Sequence, residues 1–312
     1  MSELVLNRPI YYVEKPEFPH NMLVELTNVC NHDCIFCGYK NMKRKKSMCD
    51  KEFTKDIIRQ AYKNGTREIG FYLIGEPFIY PYLEEMVRYC HEIGFVYIYL
   101  DTNAVLATVD KVKKLVDSGL NSLKFSVNAA SKETYRKVHG HDDFEKVLYH
   151  ITEIHKYVIE RDSSLKTFIS FVKNNLNEYE VEQLYDLFSA LVDKIYVYDV
   201  LNQGGSASEL VQNGVVDSID QVATLSCPCD MIFNKLHITV EGYLSPCCGD
   251  YDGYLSAVDL HQTSLQEAWN DARLVELRRK HLLGDLSGTL CYNCIHKADN
   301  KRYPLNELLC GA

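Results

Sequence analysis

Long apolar runs are missing from this chain. No stretch reaches the roughly 18 consecutive apolar residues of a membrane-spanning helix. The start, Met1-Ser2-Glu3-Leu4-Val5-Leu6-Asn7-Arg8-Pro9, lacks the basic and apolar blocks of a secretory signal. A cytoplasmic protein that does not enter a membrane is therefore expected. Positive charge is also in short supply: 34 Lys and Arg against 43 Asp and Glu give a formal net charge of −9, which argues against nonspecific nucleic-acid binding. Cysteine, by contrast, is plentiful. Twelve cysteines in a reducing compartment read as metal ligands or catalytic thiols before they read as disulfides. With 312 residues, 46% of them hydrophobic, the chain can bury a large core and carry one big domain and a smaller one.

Three cysteines, Cys30, Cys34 and Cys37, share one loop with the spacing C-x3-C-x2-C, directly after the run Met22 to Thr27, which has the residue types of a buried strand. Three thiolates can hold three irons of a [4Fe-4S] cluster. A cluster fixed wholly by protein needs four, so one iron stays open for another ligand. Two other readings stand beside this one. A zinc knuckle would recruit His32, whose place between the first two cysteines makes a tetrahedral site awkward; the other is three unrelated buried thiols.

Beyond residue 50 strands and helices alternate. Apolar residues at helical spacing mark segments near 50–63, 80–93, 108–118, 143–161 and 178–191, and runs at 68–74, 95–100, 122–127, 165–172 and 194–200 read as strands. Counted with the first strand at 22–27, six strand and helix units predict an α/β fold with a parallel sheet and right-handed crossovers. In such folds the active site lies at the carboxyl ends of the strands. Those ends are polar here: Gly75-Glu76-Pro77 after the second, Asp101-Thr102-Asn103 at the third, Ser126-Val127-Asn128 at the fourth, Ser170 in the fifth, and Tyr198, Asp199, Asn202 and Gln203 at the sixth. Lys43-Arg44-Lys45-Lys46 is either a solvated loop or the seat of an anionic part of a substrate. Cys90 falls on the apolar face of its helix and reads as core, while Cys49 has no assignable partner.

Near 204–224 the composition shifts to small polar residues and the alternation stops, which reads as a linker. It separates a core of 22–203, preceded by an extended lead-in of 1–21, from a C-terminal region of 225–312. That region holds Cys227-Pro228-Cys229, Cys247-Cys248 and Cys291-Tyr292-Asn293-Cys294, and only Cys310 follows. Phe233 to Val240 and Tyr243 to Ser245 flank Glu241-Gly242 as a β-hairpin, with a helix near 264–282 to cover it. The hairpin brings Cys229 and Cys247 to one end, to meet the C-x2-C pair. Four thiolates suit structural zinc as well as an iron–sulfur cluster.

The cysteine loop after a first strand, the Gly75-Glu76-Pro77 turn, and the late cysteines preceded by Ser264-Leu265-Gln266-Glu267-Ala268-Trp269-Asn270 together resemble the radical S-adenosylmethionine (SAM) enzymes that carry a SPASM/Twitch extension. The resemblance implies a partial (β/α)6 TIM-like barrel with a small C-terminal SPASM/Twitch domain. It implies a SAM-binding [4Fe-4S] cluster on Cys30, Cys34 and Cys37, a 5'-deoxyadenosyl radical that abstracts a substrate hydrogen, and one auxiliary [4Fe-4S] cluster on Cys229, Cys247, Cys291 and Cys294. It places Phe36 near the adenine and Gly75-Glu76-Pro77 on the SAM amino group, with Ile74 in place of the first glycine of the family's GGEP. Asn103, Ser126 and Asn128 fall around the cofactor. Asp199 and Cys248 are the catalytic candidates, Cys248 being either a bystander or the thiol that returns a hydrogen atom to a substrate radical. The cysteine spacing is similar to that of the Twitch dehydrogenase of butirosin biosynthesis, which oxidises an aminocyclitol alcohol. Oxidation or epimerisation of a small, carbohydrate-like metabolite, anionic where the basic cluster seats it, is the activity implied, with a flavodoxin- or ferredoxin-type reductant. Maturation of a ribosomally made peptide is the second reading, set behind because peptide-modifying members often carry an N-terminal recognition domain for which this chain has no room. A metal-holding scaffold without enzymatic activity is the third.

Overall fold

Strand alternation decides which residues make the core and which face the site. The structure, a computed structural model, describes residues 10–309; the first nine residues of the expected lead-in and Cys310 lie outside them. In chain order come β1 Asn21–Val24, α1 Lys51–Lys63, β2 Glu68–Phe71, α2 Leu83–Ile93, β3 Tyr97–Thr102, α3 Val109–Asp117 and β4 Ser122–Ser126. Next are α4 Lys132–His139, α5 Phe144–Glu160, β5 Lys166–Lys173, α6 Val181–Phe188, β6 Lys194–Asp199 and α7 Ala207–Gln212. The last part has α8 Met231–Asn234, β7 Lys235–Ile238, β8 Tyr243–Ser245, β9 Val258–Asp259, α9 Leu265–Trp269, α10 Ala272–Leu283, α11 Leu290–His296 and α12 Leu305–Leu309. Among the described residues no helix is long and apolar enough to cross a membrane.

One nine-stranded sheet runs β6-β5-β4-β3-β2-β1-β7-β8-β9, parallel from β6 through β1. Ile69, Phe71, Ile98, Leu100, Leu123, Phe125, Ile169 and Phe171 are fully buried and belong to the same core as the helices' apolar faces. Each such side chain contributes about 1.5–3 kcal/mol by leaving water. On α2 the expected Leu83, Met86, Val87 and Cys90 are the buried set, so Cys90 is core; Cys49 is core as well. The intervening strand residues face the other way, and apart from Gly70 they are polar or aromatic. There Tyr99 donates to Asn21 Oδ1 at 2.9 Å, Asn21 donates to Glu68 at 2.9 Å, and Tyr97 and Ser122 meet at 2.7 Å.

Several expectations are corrected. The expected hairpin forms as β7 and β8, and its first strand also adds to the core sheet beside β1, in parallel, with Asn21 opposite Lys235 and Val24 opposite Ile238. The segment 204–224 is not a bare linker, because it carries α7 and buries Leu210, Val215, Val216 and Val222 with Val200 in a second small core. The single helix at 264–282 is two, broken at Asn270; Asp271 accepts from Arg273 N and starts α10 afresh. Helix α4 was not anticipated at all.

The basic cluster is largely structural. Arg44 reaches Glu25 and Glu241, each at 2.5 Å, and Glu25 is 1% exposed and also accepts from Val240 N. This ties the end of β1 to the hairpin turn and to the chain beyond the cysteine loop. Lys46 lies over the Tyr39 ring. Arg44→Ala is expected to cost about 3 kcal/mol in anaerobic chemical unfolding, because it leaves a carboxylate buried without its cation. Glu241→Ala, at the exposed end of the same network, is expected to cost under about 1 kcal/mol.

Candidate functional site

The cysteine loop leaves β1 and is pinned at every turn. Thr27 Oγ1 donates to Ser47 O at 2.9 Å, Asn28 Nδ2 donates to Lys45 O at 2.9 Å, and Tyr39 donates to Cys30 O at 3.2 Å. Asp33 N and Ile35 N donate to the carbonyls of His139 and Val138 at the end of α4. Gln203 clamps the far side: its amide donates to Phe36 O at 3.0 Å and accepts from Gly38 N at 3.1 Å. Burial pushes the Cys30 thiol up to about 12 and raises Cys34 and Cys37 as well. Such thiols ionise only when a metal takes the place of the proton.

His139 is a neighbour that spacing in the sequence gives no means of finding. Its Nε2 lies 2.6 Å from Val127 O and therefore carries the proton, which leaves Nδ1 to accept from Cys34 Sγ at 3.2 Å. Burial pushes its pKa down to about 3. Together with His32 it forms, among the described residues, the one group of three ligand atoms lying within 4.8 Å of one another: His32, Cys34 and His139.

At the strand ends the expected residues take unequal parts. Gly75 passes so close to the loop that a Cβ would stand 2.2 Å from Thr27 O. The Glu76 carboxylate is 3% exposed and accepts from Phe78 N, Thr102 Oγ1 and Asn103 N at 3.1, 2.7 and 2.8 Å; burial nonetheless raises its pKa to about 7. Pro77 is buried at the start of a short 3-10 turn. Asn103 donates to Asn31 Oδ1 at 2.7 Å and points at Cys30 Sγ, 4.0 Å away, so the third strand does reach the cysteine loop. Ser126 meets Ser170 at 3.3 Å. Asn128 is buried with a positive φ of 52°, and its Oδ1 accepts from Val172 N, so its side chain braces β5. Phe36 packs against the small core around Val200. Asp199 is displaced from the site: it lies on the exposed edge strand and pairs with Lys173 at 3.0 Å.

A second set of cysteines lines a cavity of about 240 Å³: Cys229, Cys247, Cys291 and Cys294, with Cys248. Cys227 is exposed and stands outside it, which favours Cys229 within that pair. Burial raises the pKa of all four, Cys229 to about 11. Cys248 sits between this cavity and the sheet's inner face. Its Sγ is 3.7 Å from Met231 Sδ, and the charges bearing on it are those of Lys235, Lys124 and Asp101. Lys124 pairs with Asp101 at 2.8 Å. Lys124 was legible: alternation sets it on one face with Ser122 and Ser126.

Residues 24–188 match the family described as the Radical SAM superfamily. The chain belongs to the radical SAM superfamily. Residues 227–295 match SPASM, an iron-sulfur cluster-binding domain. An uncharacterized protein of Methanocaldococcus jannaschii is 25% identical over 249 residues, 78% of this chain and 80% of that protein. Streptococcus suis SuiB bound to S-adenosylmethionine has a similar structure, with a TM-score of 0.66 at 17% identity over 84% of this chain and 68% of that one. So has BtrN in complex with AdoMet and 2-DOIA, with a TM-score of 0.58 at 17% identity over 92% of this chain and 98% of that one. These likenesses establish the fold: a partial TIM-type barrel with a C-terminal SPASM domain.

As a radical SAM protein the chain takes a [4Fe-4S] cluster and SAM, and its SPASM domain implies auxiliary iron–sulfur binding. The donor set fits: three thiols share the loop after β1, and Cys229, Cys247, Cys291 and Cys294 line one cavity, the ligand type that iron–sulfur clusters take. Cys34 belongs to both the histidine trio and the loop.

Proposed function

We propose that this radical SAM enzyme abstracts a hydrogen atom from a small, carbohydrate-like metabolite, a sugar or aminocyclitol, giving oxidation or epimerisation in a cytoplasmic biosynthetic pathway. The observation that carries this is the polar inner face of the barrel beside Cys248: Asp101 paired with Lys124, Lys235 close by, Ser126 with Ser170, and Tyr72 on the cavity wall. Such a surface suits a ligand studded with hydroxyl or amino groups better than an apolar one. When bound, the SAM cluster would supply the electron for reductive cleavage of SAM, and the auxiliary cluster would supply a one-electron acceptor on the substrate side.

The chain's own residues do the positioning. Cys30, Cys34 and Cys37 would hold the SAM cluster, and Cys229, Cys247, Cys291 and Cys294 the auxiliary one. Because the Glu76 carboxylate already accepts three hydrogen bonds, the SAM amino group is left the backbone carbonyls of the Ile74–Glu76 turn. Lys124 and Asp101 orient substrate hydroxyls, so that the carbon to be attacked faces the radical. Asp199, exposed and paired, drops out as a proton acceptor. Cys248, on the cavity wall near Lys235, Lys124 and Asp101, is the candidate to return a hydrogen atom to the substrate radical, and electrons come from a flavodoxin- or ferredoxin-type protein.

Turnover in heavy water separates the two outcomes. A thiol proton exchanges with solvent, so an epimerase leaves deuterium on carbon in the product, and Cys248→Ser is expected to abolish that product while 5'-deoxyadenosine is still released. An oxidase leaves no deuterium and forms one deoxyadenosine per product. If no polyol or amino-polyol stimulates SAM cleavage, the substrate class proposed here is wrong. One observation favours a peptide instead: β6 is an open edge with Val197 and Tyr198 exposed, where an extended chain can add as a strand. A modified peptide as the product would decide for it.

A further inference from the structure

One side chain touches the sites of both iron–sulfur centres. Tyr251 lines the cavity of the auxiliary cysteines, and its hydroxyl lies 3.6 Å from Cys37 Sγ. The approach is built into the backbone: Gly38 gives the ring its seat, since a Cβ there would stand 2.8 Å from Tyr251 Cδ2. Tyr251 follows Cys247 by four residues, and the buried Asp250 between them holds the segment by accepting from Tyr254 N and Leu255 N at 2.8 and 2.7 Å. Across the same loop Gln203 fixes Phe36 and Gly38, so Cys37 is gripped from two sides. A metal-bound thiolate carries no proton, whereas a phenol at neutral pH keeps its own. The bond between them therefore has one sense, with Tyr251 donating.

We infer that Tyr251 is a positioning residue that reports the state of the auxiliary domain to the SAM cluster: its hydroxyl donates to the Cys37 thiolate when a loaded auxiliary centre holds the Cys247–Tyr251 segment in place, and this donation makes the SAM cluster easier to reduce. Hydrogen bonds to cluster sulfurs help set the reduction potential, and a donor stabilises the added negative charge. A chain without its auxiliary cluster then keeps its SAM cluster at a lower potential. Unproductive cleavage of SAM is suppressed until the second centre is assembled. The inference rests on Cys30, Cys34 and Cys37 being the SAM-cluster ligands.

The test is an EPR-monitored redox titration of the full chain, reconstituted anaerobically. Four forms are compared: wild type, Tyr251→Phe, the double variant Cys291→Ala with Cys294→Ala, and the triple variant. Tyr251→Phe is expected to keep both clusters and to make reduction of the SAM cluster about tenfold less favourable, a shift of about 59 mV to more negative potential for a one-electron couple. The double variant is expected to give the same shift, and the triple variant no further one. In heavy water, electron–nuclear double resonance of the reduced wild-type cluster is expected to lose an exchangeable proton coupling that Tyr251→Phe lacks from the start. An unchanged midpoint in Tyr251→Phe, a wild-type midpoint in the double variant, or additive shifts in the triple variant each overturn the inference. So does loss of SAM-cluster iron from Tyr251→Phe, which would make the residue a clamp for the loop. Absence of any cluster on the loop in wild type strikes the underlying reading instead, and shows first in the iron content.

Discussion

Alanine at any one of Cys30, Cys34 and Cys37 is expected to lower bound iron from about eight to about four atoms per chain, one cubane instead of two, and to abolish release of 5'-deoxyadenosine from SAM. The loop supplies three thiolates and no more, so losing one leaves two irons of the cluster without protein ligands. The histidines beside the loop bring no further thiolate: the His139 ring donates its proton to Val127 O and meets Cys34 Sγ and the His32 ring. The two remaining thiols, raised by burial, return to the protonated form and cannot hold what is left. Two controls bracket the effect. Cys90 lies in the core and Cys227 is exposed outside the auxiliary cavity, so alanine at either is expected to leave the iron content near that of wild type. Iron assay and chromatographic detection of deoxyadenosine check both arms. A loop variant that still bound both clusters would falsify the assignment.

What could be read from the sequence followed the range over which each physical constraint acts. Helix faces are local, and α2 buries the Leu83, Met86, Val87 and Cys90 that its periodicity marks. Cys30, Cys34 and Cys37 are local because they share a loop, whereas the approach of Asn103 to that loop and the gathering of Cys229, Cys247, Cys291 and Cys294 on one cavity depend on the order of the strands. Strand pairing is not local. Nothing in Lys235–Ile238 indicates that it lies against Asn21–Val24, more than two hundred residues earlier, rather than starting a sheet of its own. Helix α4 hides because only Tyr135 and Val138 mark its apolar side among charged neighbours, and His139 hides with it. The folded character of 204–224 rests on a few apolar residues, Leu210, Val215, Val216 and Val222, scattered in polar sequence. Asp199 was placed correctly at a strand end, yet that strand is the last of an open sheet, where no neighbour walls off solvent. The break at Asn270 was signalled by Asp271, a residue type that starts helices, and was missed because the apolar period runs across it.

Gly75→Ala is expected to be the most disruptive single substitution outside the cysteines. The turn after β2 crosses the start of the cysteine loop at a distance that only a hydrogen can fill: a Cβ would stand 2.2 Å from Thr27 O and 2.8 Å from Val29 O, both backbone atoms with no side chain to swing away. Val29 O is also the acceptor for Glu76 N at 2.9 Å, so separating the two segments breaks the contact that docks the turn on the loop. Either the turn or the loop must move, and the loop carries Cys30 one residue beyond Val29. Overpacking of this kind costs about 3 kcal/mol where the neighbours cannot relax, and here the displacement falls on the atoms proposed to face SAM. The expected result is weaker SAM binding in anaerobic calorimetry together with a lower unfolding midpoint, with iron retained at the auxiliary site. Gly249→Ala is the matched control, because a Cβ there meets nothing closer than Cys247 Sγ at 3.7 Å and the backbone is not in the left-handed region. Equal tolerance of the two substitutions would show that the approach of the turn to the loop plays no part in holding SAM.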